Sequence, residues 1–276
     1  SQNLININTI YQNLSIKAVK DFVCVRPRAG VYANPPTNSI IADNHEIAYY
    51  DFTGNYQGKI TLYSGGSGTQ TFSGFVETIE DYLVVYDSSS SPGVVRIFKS
   101  NGSSISSYAT ISGVSGSYCD DLAWDATDGL TILIRGPTDT SDPDSSNWFN
   151  PSLIYQESAE GSASFSSVGP TGWGSSQYVG ATTQKSQYIN STHIFMVDPY
   201  YTSALGQVSV YTHGGSFVTT LDISDVPYSW DGEDLTQTSA NSGTSPFFGS
   251  KFAVNNNYII AWANLFFPTQ PEYGSR

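Results

Sequence analysis

Cationic side chains are scarce in this chain: 11 lysines and arginines stand against 24 aspartates and glutamates in 276 residues, a formal charge of -13. A field of that sign repels phosphate backbones and anionic bilayers, so neither nucleic acid nor membrane insertion is expected. Charge of either sign is sparse at 13% of residues, yet 14% aromatics supply apolar area that a disordered chain lacks. Cysteine is nearly absent. Cys24 and Cys119 cannot build a disulfide framework and show no Cys-x-x-Cys zinc spacing. Two buried apolar thiols are expected, with a single bridge between repeats as the alternative. No run approaches the ~20 apolar residues that span a bilayer, and SQNLININTI lacks the basic and apolar regions of a signal peptide. A soluble chain is expected. Met196 is the only methionine, and the leading Ser1 is read as initiator removal, although a cleaved leader would leave the same trace.

Helical periodicity is missing as well. The nearest candidate, DDLAWDATD (Asp120 to Asp128), is too short and too rich in aspartate to sustain a helix. What is abundant is Gly, Ser, Thr, Asn and Tyr, a composition that leans toward turn-rich β structure. Through it runs a repeated phrase: an apolar burst closed by an acidic residue or a substitute, a loop, then Gly-x-apolar-x-apolar-aromatic. It reads EIAYYD with GKITLY (Glu46 to Tyr63), DYLVVYD with GVVRIF (Asp81 to Phe98) and HIFMVD with GQVSVY (His193 to Tyr211); NYIIAWA (Asn257 to Ala263) is a half copy. Self-similarity of this kind marks one supersecondary unit copied and packed against its neighbours.

The bursts are too short for helices and suit strands buried on both faces. The Gly-led halves alternate, as half-exposed outer strands do, and Gly-rich turns lead to a more polar edge strand such as SISSYATI (Ser104 to Ile111). GFVETIE (Gly74 to Glu80) and SKFAVNN (Ser250 to Asn256) supply a strand ahead of the burst, giving four per unit. The expectation is an all-β, single-domain β-propeller (1–276) of five or six four-stranded antiparallel blades. The blades are placed at about 38–74, 75–116, 117–168, 177–222 and 248–276, with the N-terminal segment 1–34 closing the last. The third unit is the most divergent: GLTILIR (Gly129 to Arg135) and PSLIYQ (Pro151 to Gln156) flank the insertion GPTDTSDPDSSNWFN, where binding tends to be placed.

FFGSKFAVNNNYIIAWA (Phe247 to Ala263) resembles the FG-GAP type of β-propeller repeat, and DYLVVYDSSSSPGVVRIFKSNGSSI (Asp81 to Ile105) is similar to the body of the same repeat. The resemblance covers about two thirds of the chain. It implies a propeller and leaves function open, since such repeats occur in integrin-type receptors, secreted bacterial proteins and phage virion proteins. The family's calcium loop, Asp-x-Asp-x-Asp-Gly, is not matched by DFTGNYQG (Asp51 to Gly58) or DPDSSN (Asp142 to Asn147). No cofactor is expected, calcium being open only without a matching loop. The Gly-Ala that usually closes the buried strand is replaced by Asp51, Asp87 and Asp198, with Arg135 and Ala263 in the other units.

Those aspartates are expected at equivalent strand ends on one face of the ring. A ring of carboxylates could bind a cation or a sugar hydroxyl or share protons; the structural reading, favoured here, is that each accepts N–H groups of the following turn. An acid/base pair for glycoside hydrolysis needs carboxylates roughly 5–10 Å apart. His45, His193 and His213 show no metal spacing, and no Gly-x-Ser-x-Gly elbow is present. Trp124, Trp148, Trp173 and Trp230 lie in turn-like sequence beside Asp, Asn or Gly, which suits stacking on sugars, although packing between blades is the reading favoured here. The ligand-binding candidates are Trp148, Trp173, Trp230, Asp51, Asp87 and Asp198; no catalytic or metal residue is named. Three Asn-x-Ser/Thr sequons, at Asn13, Asn101 and Asn190, carry no weight in so Asn-, Ser- and Thr-rich a chain.

The leading reading is a non-enzymatic virion structural or attachment protein, located in the virion. Its partners would be other virion proteins, further copies of itself or a surface glycan. The alternatives are a lectin-like propeller of a secreted or surface protein, and a propeller glycoside hydrolase.

Overall fold

The computed structural model describes residues 14–27, 46–62, 75–87, 92–115, 118–136, 153–169, 187–198, 207–221, 229–230, 233–234 and 252–261. All regular structure among them is β. Sixteen strands form four antiparallel sheets of four, and four more form two hairpins. The first sheet is β1 (Leu14–Val19), β2 (Phe22–Pro27), β3 (Glu46–Asp51) and β4 (Tyr56–Thr61), hydrogen-bonded in that order. The second, in the same order, is β5 (Phe75–Ile79), β6 (Tyr82–Asp87), β7 (Gly93–Ser100) and β8 (Ile105–Val114). The third is β9 (Tyr118–Asp125), β10 (Gly129–Arg135), β11 (Leu153–Glu157) and β12 (Phe165–Gly169), and the fourth is β13 (Gln187–Ile189), β14 (His193–Asp198), β15 (Gln207–Thr212) and β16 (Phe217–Leu221). The hairpins are β17 (Ser229–Trp230) with β18 (Glu233–Asp234), and β19 (Phe252–Val254) with β20 (Ile259–Ala261). The weak helix candidate around Trp124 is strand β9. No helix among the described residues is long and apolar enough to cross a membrane.

Contacts divide the chain into two units, Ser1–Leu130 with Glu157–Ser166, and Thr131–Gln156 with Ser167–Arg276. In the first unit, β1 packs near β5 and β5 near β9, so the first strands of successive sheets are neighbours. Val19, Phe22, Cys24, Ile47, Tyr49, Ile60 and Leu62 of the first sheet region meet Leu83, Val85, Phe98 and Ile105 of the second in one apolar core. At the strand ends, Lys20 N donates to Glu80 O at 3.0 Å and Lys17 Nζ reaches Glu77 Oε2 at 2.8 Å. Every residue of β6 is buried, as a strand covered on both faces must be. Cys24 keeps a free thiol, which burial pushes up to about 12.

The tight turns set the frame of each sheet. Val19 pairs with Phe22, and Ile79 with Tyr82, which leaves two-residue turns at Lys20-Asp21 and Glu80-Asp81. Lys20 and Glu80 take φ of 46° and 50°, the left-handed region that primed hairpin turns demand. Their shared length and positive first φ make β1 and β2 the counterparts of β5 and β6.

Three sequence expectations are corrected by this frame. EIAYYD is the third strand of its sheet, not the second, and the first sheet spans 14–61 rather than 38–74. Residues 14–27, expected within a segment closing the last blade, instead form the first two strands of the first sheet; residues 1–13 and 28–34 lie outside the described residues. YLVVYD, GLTILIR and HIFMVD are second strands, as expected.

In the second unit, Phe195, Val197, Val208 and Val210 of the fourth sheet pack with Phe252 of β19, flanked by Tyr188, Leu221, Val254 and Ala261. Phe252 packs at a tilt against Tyr188 and Phe195, with ring centroids 4.9 and 5.8 Å apart. The turns ahead of β14 and β20 touch: Asn190 Nδ2 donates to Asn255 O at 3.4 Å and Ser191 N to Asn256 Oδ1 at 2.9 Å. The β13–β14 hairpin and the β19–β20 hairpin are therefore tied to each other.

Candidate functional site

Of the candidate aspartates, Asp51 is the most completely described. It ends β3 and opens the hairpin to β4, where Gly54 at φ 86° reverses the chain. Its Oδ1 accepts from Thr53 N at 2.9 Å, Thr53 Oγ1 at 2.6 Å and Asn55 N at 2.9 Å. Its Oδ2 accepts from Asn55 Nδ2 at 3.1 Å and Gln57 Nε2 at 2.8 Å. Donors that favour the ionised form, led by the Thr53 hydroxyl and then the Asn55 peptide, hold this carboxyl well below the usual range. Asp51 organises its own turn.

Asp87 and Asp198 are at corresponding places, the last residues of β6 and β14, both second strands. Asp87 is buried. Asp51 lies instead across from Phe22, the first residue of β2, so it stands at the opposite end of its sheet from the place Asp87 holds in the second. Antiparallel strands 2 and 3 end at opposite edges, and the expected three-way equivalence therefore reduces to a pair. Arg135 takes the same place at the end of β10, also buried. Trp148 and Trp173 lie outside the described residues. Trp230 lies in β17, paired with Glu233 of β18.

One polar cluster escaped the sequence reading. In the first unit, Glu157, 2% exposed, accepts from the Tyr108 hydroxyl, from Leu130 N at 3.1 Å, from Ala163 N at 2.9 Å and from the Tyr82 hydroxyl at 3.4 Å. Lys99 Nζ lies 4.4 Å from the centre of the Tyr82 ring and 5.2 Å from that of Tyr108, and bonds Glu160 Oε1 at 2.9 Å and the Tyr82 hydroxyl at 2.8 Å. Burial opposes the Lys99 charge, but the bond to Glu160 and the carboxylates of Asp81 and Glu160 outweigh it and raise the pKa. Burial foremost, with Glu157 beside them, pushes both phenols up. Tyrosines held protonated donate hydrogen bonds and are poor nucleophiles. Gly129, at φ 72°, leaves the room that the Glu157 carboxylate occupies. No short motif signals this group, because Tyr82, Lys99, Tyr108 and Glu157 come from four separate strands.

Among the described residues, no group of three or more His, Cys, Asp or Glu could hold a metal ion. His193 Nδ1 meets Thr192 Oγ1 at 2.7 Å and His213 Nε2 meets Asn190 O at 2.9 Å, so both histidines serve turns. No protein-family model matches the chain, and no curated protein is significantly similar to it.

Proposed function

We propose that this chain is a five-bladed β-propeller serving as a non-enzymatic structural or attachment protein of a virion. Support for the propeller comes from successive four-stranded meanders whose first strands are neighbours, β1 with β5 and β5 with β9, and from β13 beside β19. On this reading β19 and β20 are the first two strands of a fifth blade.

The observation that carries the non-enzymatic reading is how the carboxylates are used. Asp51 is engaged by five donors of its own hairpin, Asp125 caps the β9–β10 turn through Thr127 N and Asp128 N, and Glu157 is saturated by two peptides and two phenols. Groups so engaged hold a scaffold rather than exchange protons with a substrate. Recognition then belongs to loops and outer strands, where Phe52, Phe217 and Val218 are exposed.

Quantitative mass spectrometry of purified particles from the source tests the assignment. A fixed copy number per particle is expected, and absence of the chain from particles overturns it. Polysaccharide turnover by the purified chain, lost in Asp87→Asn, would replace it with the hydrolase reading.

A further inference from the structure

Asn101-Gly102 is the only Asn-Gly step in the sequence. It opens the hairpin between β7 and β8, where Asn101 N donates to Ser104 O at 3.1 Å. Asn101 Oδ1 accepts from Ser103 N at 2.9 Å and Ser104 N at 2.8 Å. Those bonds close an Asx turn across the Gly102 peptide. They also stabilise negative charge on Oδ1 if a nucleophile adds to Cγ, as an oxyanion hole does. The Gly102 N–H is outside the sheet ladder and donates to Ser100 Oγ at 3.1 Å. Residue 102 carries no side chain, an ideal Cβ there would stand 3.6 Å from the Asp21 carboxylate, and Asn101, Gly102 and Ser103 are all exposed to water.

We propose that Asn101 is a self-modification site, at which the Gly102 nitrogen attacks Asn101 Cγ and the hairpin passes through a cyclic imide. The nitrogen gives its proton to solvent base, an N–Cγ bond forms, and the bond from Cγ to the side-chain nitrogen breaks as that nitrogen takes up a proton and leaves as ammonia. Water then opens the ring at either carbonyl, leaving an aspartyl or an isoaspartyl residue at position 101. Nothing is oxidised or reduced. Either product adds a negative charge to a chain already at -13. The isoaspartyl form also inserts a methylene into the main chain beside the Asn101 to Ser104 pair and loosens that end of the second sheet.

Two other turns serve as internal controls. Asn190 Oδ1 accepts from Thr192 N at 3.0 Å and His193 N at 2.7 Å, and Asn255 Oδ1 from Asn257 N at 2.9 Å and Tyr258 N at 2.8 Å. Their carboxamides are polarised alike, but Ser191 and Asn256 place side chains beside the attacking nitrogen, and Asn190 is buried.

The test is incubation of the native full-length chain at neutral and mildly alkaline pH, followed by peptide mapping and enzymatic detection of isoaspartate. Conversion at Asn101 is expected about tenfold or more faster than at Asn190 or Asn255, accelerating with pH as the attacking nitrogen loses its proton. Equal rates at the three positions overturn the proposal. So does conversion at Asn101 that is slower in the native chain than in urea, since the folded hairpin would then protect the site.

Discussion

The first and second sheets carry nearly the same words in different places. EIAYYD followed by GKITLY forms strands three and four of the first sheet, whereas YLVVYD followed by GVVRIF forms strands two and three of the second. A shared contact accompanies the phrase in these two sheets. Gly58 pairs across the ladder with Tyr49, and a Cβ placed on it would fall 2.6 Å from the Tyr49 hydroxyl; a Cβ on Gly93 would fall at the same distance from the Tyr86 hydroxyl. In both sheets a tyrosine ring lies over a glycine of the next strand, directly opposite in the first and diagonally in the second, a local device for covering a bare backbone. The phrase therefore reports an adjacent antiparallel pair, and the turns report where in the sheet that pair sits.

The largest test of this comparison is substitution of the two glycines. Gly58→Ala and Gly93→Ala should each destabilise by about 1–3 kcal/mol, because the tyrosine must leave its place. Urea unfolding of both variants measures it. A large loss at one glycine with none at the other would show that strand position, and not the Tyr-over-Gly contact, governs the phrase.

Much of the architecture was legible because strand alternation and burial are written locally. The all-β class, the strands 82–87, 129–135 and 193–198 as second strands, and the four-strand count all follow from apolar bursts between turn residues. The frame of the first sheet was not legible. Its decisive turn, Lys20-Asp21, contains no glycine or asparagine, so Asp21 is the single turn-forming residue that marks the hairpin. The same blindness moved Asp51 into false equivalence with Asp87. Glu157 was missed for a different reason: its donors are scattered over the sequence, and a buried carboxylate is recognised by its surroundings rather than by its neighbours in the chain.

A smaller effect sharpens the frame itself. If Lys20-Asp21 and Glu80-Asp81 are the same turn in two sheets, relieving positive φ at either should stabilise alike. Lys20→Gly and Glu80→Gly should each gain about 0.5–1 kcal/mol, both side chains being exposed. Thermal or urea unfolding reads the gain, and opposite signs at the two positions would separate turns that the present geometry makes counterparts.

The finest distinction concerns the hairpin that Asp51 organises. Its carboxyl is held below the ordinary range by donors that exist only in the folded turn, led by the Thr53 hydroxyl. A group with a depressed native pKa binds fewer protons when folded than when unfolded, so its contribution is complete above the unfolded carboxylate pKa and is lost as pH falls through the native value. The stability difference between the native chain and Asp51→Asn should be constant near neutrality and shrink below the ordinary carboxylate range. A carboxyl-carbon NMR titration of Asp51 should show a midpoint displaced downward. A difference that grew on acidification, or an unshifted midpoint, would mean that the side chain does not close the turn, and Asp51 would return to the exposed carboxylates available for binding.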